Sequence, residues 1–188
     1  AFDAVFATLG EAEHRLQHTA GARGMVNDYA DMARAALVMR EVTGDARFLD
    51  QAKAWTKALD DHFWNNQING YAFYPDDSDP LFVRPRMVFD NPSPAANGTM
   101  LFVLTRLAML TGEVEYMSRA STLAATFGNE ANRMLQGAGS YLNGFEYLIN
   151  TLMIVVIGHK GHARTQELLH AYWSRPMPNA MVLQLRSE

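Results

Sequence analysis

The chain has 188 residues, 48% of them hydrophobic, with 16 basic and 20 acidic side chains and no cysteine. That is long and apolar enough for one domain with a sizeable core, and it excludes a disordered chain. A net charge of −4 leaves no basic footprint for nucleic acid, and the missing cysteines exclude disulfides and thiol chemistry. The longest apolar run, Leu152 to Ile157, is six residues, where a membrane-spanning helix needs roughly 20. No charged start followed by an apolar stretch is visible, so a cytoplasmic protein is the expectation.

Phe2 to about His18 is predicted as a helix with Phe2, Val5, Phe6, Leu9 and Leu16 on one side, the outer helix of a preceding hairpin. His14 and His18 would then share a face at metal-ligand spacing. The intervening Arg15-Leu16-Gln17 offers no Glu and no third ligand is near. A solvated helix face, with no metal, is expected.

Asn27-Asp28-Tyr29 opens a helix to Thr43 that is rich in Ala, Leu and Met all round, as in a buried helix. Asn27 or Asp28 caps it. Capping is the favoured role, and at the start of an inner helix Asp28 could also serve as a general acid or base if burial raises its pKa. Gly44 marks the helix end, and Ala46 to Trp64 follows as an amphipathic helix with Phe48, Leu49, Ala52, Trp55, Leu59 and Phe63 on its stripe.

The pattern returns at an offset of 68. Thr43-Gly44 meets Thr111-Gly112, Asp45 meets Glu113, Phe48 meets Tyr116 and Ala52 meets Ala120. A buried helix followed by an amphipathic one, repeated, gives alternating inner and outer layers, as in an α/α toroid or a solenoid. The spacing is unlike the common short helical repeats that bind peptides.

The segment between the copies is long, and such loops are more often functional than idle. Tyr71-Ala72-Phe73-Tyr74 and Leu81-Phe82-Val83 read as two short strands. Asn91-Pro92-Ser93-Pro94 then bars a helix until about Ala95, with Ser93 as its cap and Pro94 at its first position. Arg84, Arg86, Asp90 and Asn91 beside Tyr71, Phe73 and Tyr74 make a polar cluster with an aromatic wall, the kind of surface that binds sugars. The equal alternative is that an arginine pairs with Asp90 and pins the loop. Asn97 falls in the first turn of the next helix, close to Asp90.

Gly139 to Asn150 reads as another helix. Met153 to Gly158, Thr165 to Trp173 and Ala180 to Leu185 read as strand, helix and strand, a small βαβ unit with a parallel pair. Gly158-His159-Lys160-Gly161-His162 is expected to be a plain strand-to-helix turn, since neither a dinucleotide nor a phosphate-loop glycine pattern is present. No cofactor is expected.

These residues resemble a known family. Asn27-Asp28-Tyr29-Ala30 and Thr43-Gly44-Asp45-Ala46-Arg47-Phe48-Leu49 are similar to its D-Y-A and T-G-D-x-R-[YFW]-L segments. Gly70 to Tyr74 resembles its G-G-[FY]-[FY] hairpin, Leu81 to Arg86 its L-x-V-R-P-K stretch, and Asp90 to Asn97 its D-G-A-x-P-S-G-N segment. The closing Val155-Val156-Ile157-Gly158 and Pro178-Asn179 match in order as well. The family is the YyaL-like group, with a mammalian member called spermatogenesis-associated. Its members join an N-terminal thioredoxin-like domain to an (α/α)6 toroid related to six-hairpin glycosidases and N-acylglucosamine 2-epimerases. Arg86 stands where Lys is usual, Asn91 replaces Gly, and Ala95-Ala96 replaces Ser-Gly.

The resemblance implies that this chain corresponds to the C-terminal part of such a protein, and the family itself has no settled activity. The expectation is a mainly α fold: a partial toroid of helical hairpins with a short β-hairpin insertion over residues 1–150, and a small C-terminal α/β segment over 151–188. Asp28 and Asp90 are the candidate catalytic residues. Tyr29, Tyr71, Arg84, Arg86, Asn91 and Asn97 are the candidate substrate-binding residues, for a carbohydrate or other small polar ligand. The rival is a non-catalytic interaction or scaffold module serving the thioredoxin-like domain. An isolated arc would expose the inner faces of its end helices, so self-association, or association with the rest of a toroid, is expected.

Overall fold

The computed structural model describes residues 1–78 and 83–185. It is mainly helical, with three two-stranded sheets among the described residues. Helix α1 (Phe2–Leu9) leads into two short antiparallel strands, β1 (Gln17–Thr19) and β2 (Ala22–Arg23). Two helical hairpins carry the repeat: α2 (Val26–Thr43) with α3 (Arg47–His62), and α4 (Ala96–Thr111) with α5 (Val114–Arg133). Between them lie β3 (Trp64–Asn65) and β4 (Gly70–Tyr71), and after them α6 (Gly139–Asn150), β5 (Leu152–Ile157), α7 (Ala163–Trp173) and β6 (Ala180–Leu185).

The two repeat turns are built alike. Gly44 and Gly112 are left-handed, at φ 72° and 75°, and each N–H returns to the helix just ended, on the Arg40 and Ala108 carbonyls. The preceding threonine hydroxyl accepts from the following acidic residue's N–H, Thr43 from Asp45 at 3.2 Å and Thr111 from Glu113 at 3.1 Å. Threonine, glycine and an acidic residue thus reverse the chain twice in the same way.

Helix α4 is the centre of the molecule. It packs on α2 on one side and α6 on the other, while α3 and α5 flank the row. Its sequence explains this: Arg106 is its one charged residue, and the apolar side chains run all round it. Close approach to α6 depends on glycine. A Cβ on Gly144 would stand 2.6 Å from the Gly98 carbonyl oxygen and 2.7 Å from Leu101 Cβ. The flanking helices are amphipathic. Phe48, Trp55 and Leu59 of α3, with Leu123 and Phe127 of α5, face the core. Lys53 and Glu113 join the two hairpins outside it at 2.7 Å. Phe2 and Phe6 of α1 close over Phe48 and Trp55 with ring centroids 5.1 and 5.5 Å apart.

Strands β5 and β6 pair in parallel across α7, in register from Leu152 with Ala180 to Ile157 with Leu185. Among the described residues no helix is long and apolar enough to cross a membrane.

Three local expectations are corrected. The first helix stops at Leu9 because Gly10 turns extended, at φ −77° and ψ 140°. His14 therefore sits at the end of a short 3-10 turn and His18 in β1, so they share no helix face. Tyr71 pairs with Trp64 rather than with the expected second strand; Leu81 and Phe82 lie outside the described residues, and Val83 is in no strand. Helix α4 begins at Ala96, and the Asp90 carboxylate, not the expected Ser93 hydroxyl, accepts from the Ala95 N–H, at 2.8 Å.

Candidate functional site

The starts of α2 and α4 face a cavity of about 380 Å³ lined by His18, Asn27, Asp28, Asp31, Asn91 and the apolar Phe73, Met87 and Phe89. Asp28 is the third residue of α2. Its Oδ2 accepts from the Met25 N–H at 2.7 Å, half of a capping box. Its Oδ1 lies 2.9 Å from His18 Nδ1. Capping and cavity lining therefore coexist in one carboxylate.

Asp31 is one turn further along the same face. It opens at the cavity mouth, and partial burial raises its carboxyl pKa; Arg34 pulls it back and Asp28 adds to the rise. Two carboxylates in one cavity thus have different surroundings.

Asp90 stands next door. It lines an adjoining cavity of about 250 Å³ with Arg34, Thr99, Phe102 and Asn143, and Pro94 is a wall of both. Its oxygens are fully engaged by the N–H of Ala95 and by the N–H and hydroxyl of Ser140 at the start of α6, at 2.8, 2.8 and 2.5 Å. Burial pushes its pKa up, but the Ser140 hydroxyl and the N–H groups of Ala95, Ser140 and Gly139 outweigh that and hold it below the ordinary value. Thr99 Oγ1 is buried beside this second cavity with no partner among the described residues.

The remaining expected ligand contacts are structural in their geometry. The Tyr29 ring is fully buried, and its hydroxyl accepts from the Leu16 N–H at 3.0 Å. Tyr71 is buried too, and its hydroxyl donates to Asp60 at 2.7 Å. Asn97 ties the loop to α4: Oδ1 accepts from the Tyr71 N–H at 2.9 Å, and Nδ2 donates to the Tyr71 and Met87 carbonyls at 3.0 and 2.9 Å. Arg84 donates to the Tyr74 and His62 carbonyls. Arg86 lies over the Phe127 ring and 3.5 Å from Glu130. Neither arginine pairs with Asp90 among the described residues.

Of the eight expected residues, Asp28 and Asn91 share one cavity and Asp90 lines its neighbour. Asp31 and Phe89 join them without having been singled out, and so does His18, which was expected with His14 on a solvated helix face. Asp31 carried a signal, three residues beyond Asp28 on a helix. His18 was noted only for its spacing from His14, because its segment was read as helical.

Among the described residues, His62, Asp76 and Asp77 bring possible metal-ligating atoms within 4.8 Å of one another. Asp77 is already held by Arg15 at 3.0 Å and Arg23 at 3.4 Å. Two guanidinium groups there oppose a cation.

No family model matches the chain. Over 162 residues, 85% of its length, it is 25% identical to spermatogenesis-associated protein 20 of Homo sapiens, and equally to that of Rattus norvegicus. The matched stretch is 21% of the human protein and 20% of the rat protein, so the chain spans about a fifth of the length of these relatives. The sequence is thus similar to one section of spermatogenesis-associated protein 20.

Proposed function

We propose that the chain is an arc of an α/α toroid and that its cavity at the starts of α2 and α4 binds a small polyhydroxylated ligand, a carbohydrate. One observation carries this reading: His18, Asp28, Asp31 and Asn91 converge on one concave space with Phe73 and Phe89 on its wall. Carboxylates and amides suit hydroxyl groups, and aromatic faces suit the apolar face of a sugar ring. Asp28 and Asp31 are the proton-transfer pair if the ligand is turned over. Asp31, whose carboxyl pKa is raised above its ordinary value by partial burial, and Asp28, 2.9 Å from His18, lie on one face of α2 within reach of the same ligand. Asp90 is a positioning residue that fixes the starts of α4 and α6, and Tyr29, Tyr71, Arg84, Arg86 and Asn97 hold the walls.

A second reading, a non-catalytic module serving a thioredoxin-like domain, is favoured by the internal bonds that occupy Arg84, Asp90 and Asn97. A thermal-shift panel of mono- and disaccharides separates the two. A sugar-dependent rise in Tm that Asp28→Asn abolishes supports the site. No response to any sugar supports the scaffold.

A further inference from the structure

A second cavity, of about 270 Å³, lies at the opposite end of α2, between its last turn and the C-terminal strand–helix–strand segment. Three cations line it, Arg40, Arg106 and Lys160, together with His170 and one carboxylate, Glu41. Glu41 is already saturated: Oε2 accepts from Arg106 Nη2, and Oε1 accepts from the Tyr172 hydroxyl and the Val182 N–H, each at 2.9 Å. Arg40 and Lys160 have no carboxylate partner among the described residues. Lys160 reaches only the Thr43 carbonyl, at 2.6 Å.

Two buried donors mark the place as incomplete. Nε of Arg40 and Nε of Arg106 are shielded from solvent without an acceptor among the described residues, and Arg106 as a whole is 3% exposed. Buried donors left without a partner are costly and rare. This concentration of positive charge belongs to a chain whose net charge is −4. The rest of the lining is mixed, with Leu110, Leu169, Trp173 and Leu183 beside the polar Thr43, Gln166 and Gln184.

We propose that this cavity binds a small carboxylate with an apolar body. The guanidinium groups and the Lys160 ammonium take the carboxylate by charge-assisted hydrogen bonds. Leu169 and Trp173 cover the hydrocarbon. The volume admits a metabolite-sized ligand rather than a folded partner. Because the cavity lies between α2 and the C-terminal segment, occupancy also ties the two together.

The test is an NMR titration of the whole chain with hexanoate, acetate and inorganic phosphate at constant ionic strength. The readout is the backbone amides of residues 40–44 and 181–184. Hexanoate is expected to give saturable shifts, with acetate weaker. Arg40→Gln and Lys160→Gln, each confirmed as folded by circular dichroism, are each expected to weaken hexanoate by about tenfold. Non-saturating hexanoate shifts would overturn the proposal, as would affinities unchanged in a folded variant. Phosphate binding more tightly than hexanoate would overturn the carboxylate assignment.

Discussion

Asp90 and Ser140, fifty residues apart in sequence, join the starts of α4 and α6: the Ser140 N–H donates to Asp90 Oδ2 at 2.8 Å while Asp90 Oδ1 takes the Ala95 N–H. One carboxylate thus holds the starts of two helices. Asp90→Ala should destabilise the fold by about 2 kcal/mol, the upper end of a single cap, as read from urea unfolding. The pH dependence has a definite sign. The folded pKa lies below the ordinary 3.8, so the stabilisation is present above that value and is lost as pH falls through the folded pKa. Acidification below about pH 4 should therefore narrow the stability gap between wild type and Asp90→Ala.

Asn97 joins the loop to the central helix by three hydrogen bonds in a buried setting. Asn97→Ala leaves the Tyr71 N–H and C=O without their partner. The expected loss is about 3 kcal/mol, and Asn97→Asp should not restore it, because a carboxylate cannot donate to the Tyr71 carbonyl. Chemical denaturation of both variants checks this.

Gly144→Ala opposes two effects. Alanine favours the helix by about 1 kcal/mol, but the new methyl meets the Gly98 carbonyl at 2.6 Å and overpacking costs about 1–3 kcal/mol. The clash is with backbone, which cannot swing aside, so a net loss of stability is expected. A rise in Tm would show that α4 and α6 separate easily.

Asp31 behaves oppositely to Asp90. Partial burial raises its pKa above 3.8, so its contribution is fully present below the ordinary value and lost as pH rises through the folded one. Asp31→Asn should therefore gain stability relative to wild type between pH 4 and pH 7. The gain is modest, because the residue opens to solvent at the cavity mouth. Thermal melts of both proteins across that range measure it.

What was legible in the sequence was local. Thr43-Gly44-Asp45 and Thr111-Gly112-Glu113 announce their turns because a left-handed glycine and a threonine hydroxyl act within three residues. The all-round apolar pattern of α4 announces its central place. The loop was legible as a set of residue types but not as a geometry. Arg84, Asp90 and Asn97 find their partners at His62, Ser140 and Tyr71, far along the chain, and periodicity carries no such information. His18 was read on a solvated helix face, and its place beside Asp28 was not legible because Gly10 ends the first helix early and the strand that follows carries His18 to Asp28.

The most direct test of the central claim is a ¹H–¹⁵N titration of the whole chain with the sugar giving the largest thermal shift, or with a mono- and disaccharide mixture if none does. The account predicts saturable shifts at residues 27–31, Phe89 and Asn91, absent in Asp28→Asn. Shifts confined to other surfaces, or none at saturating sugar, would contradict it.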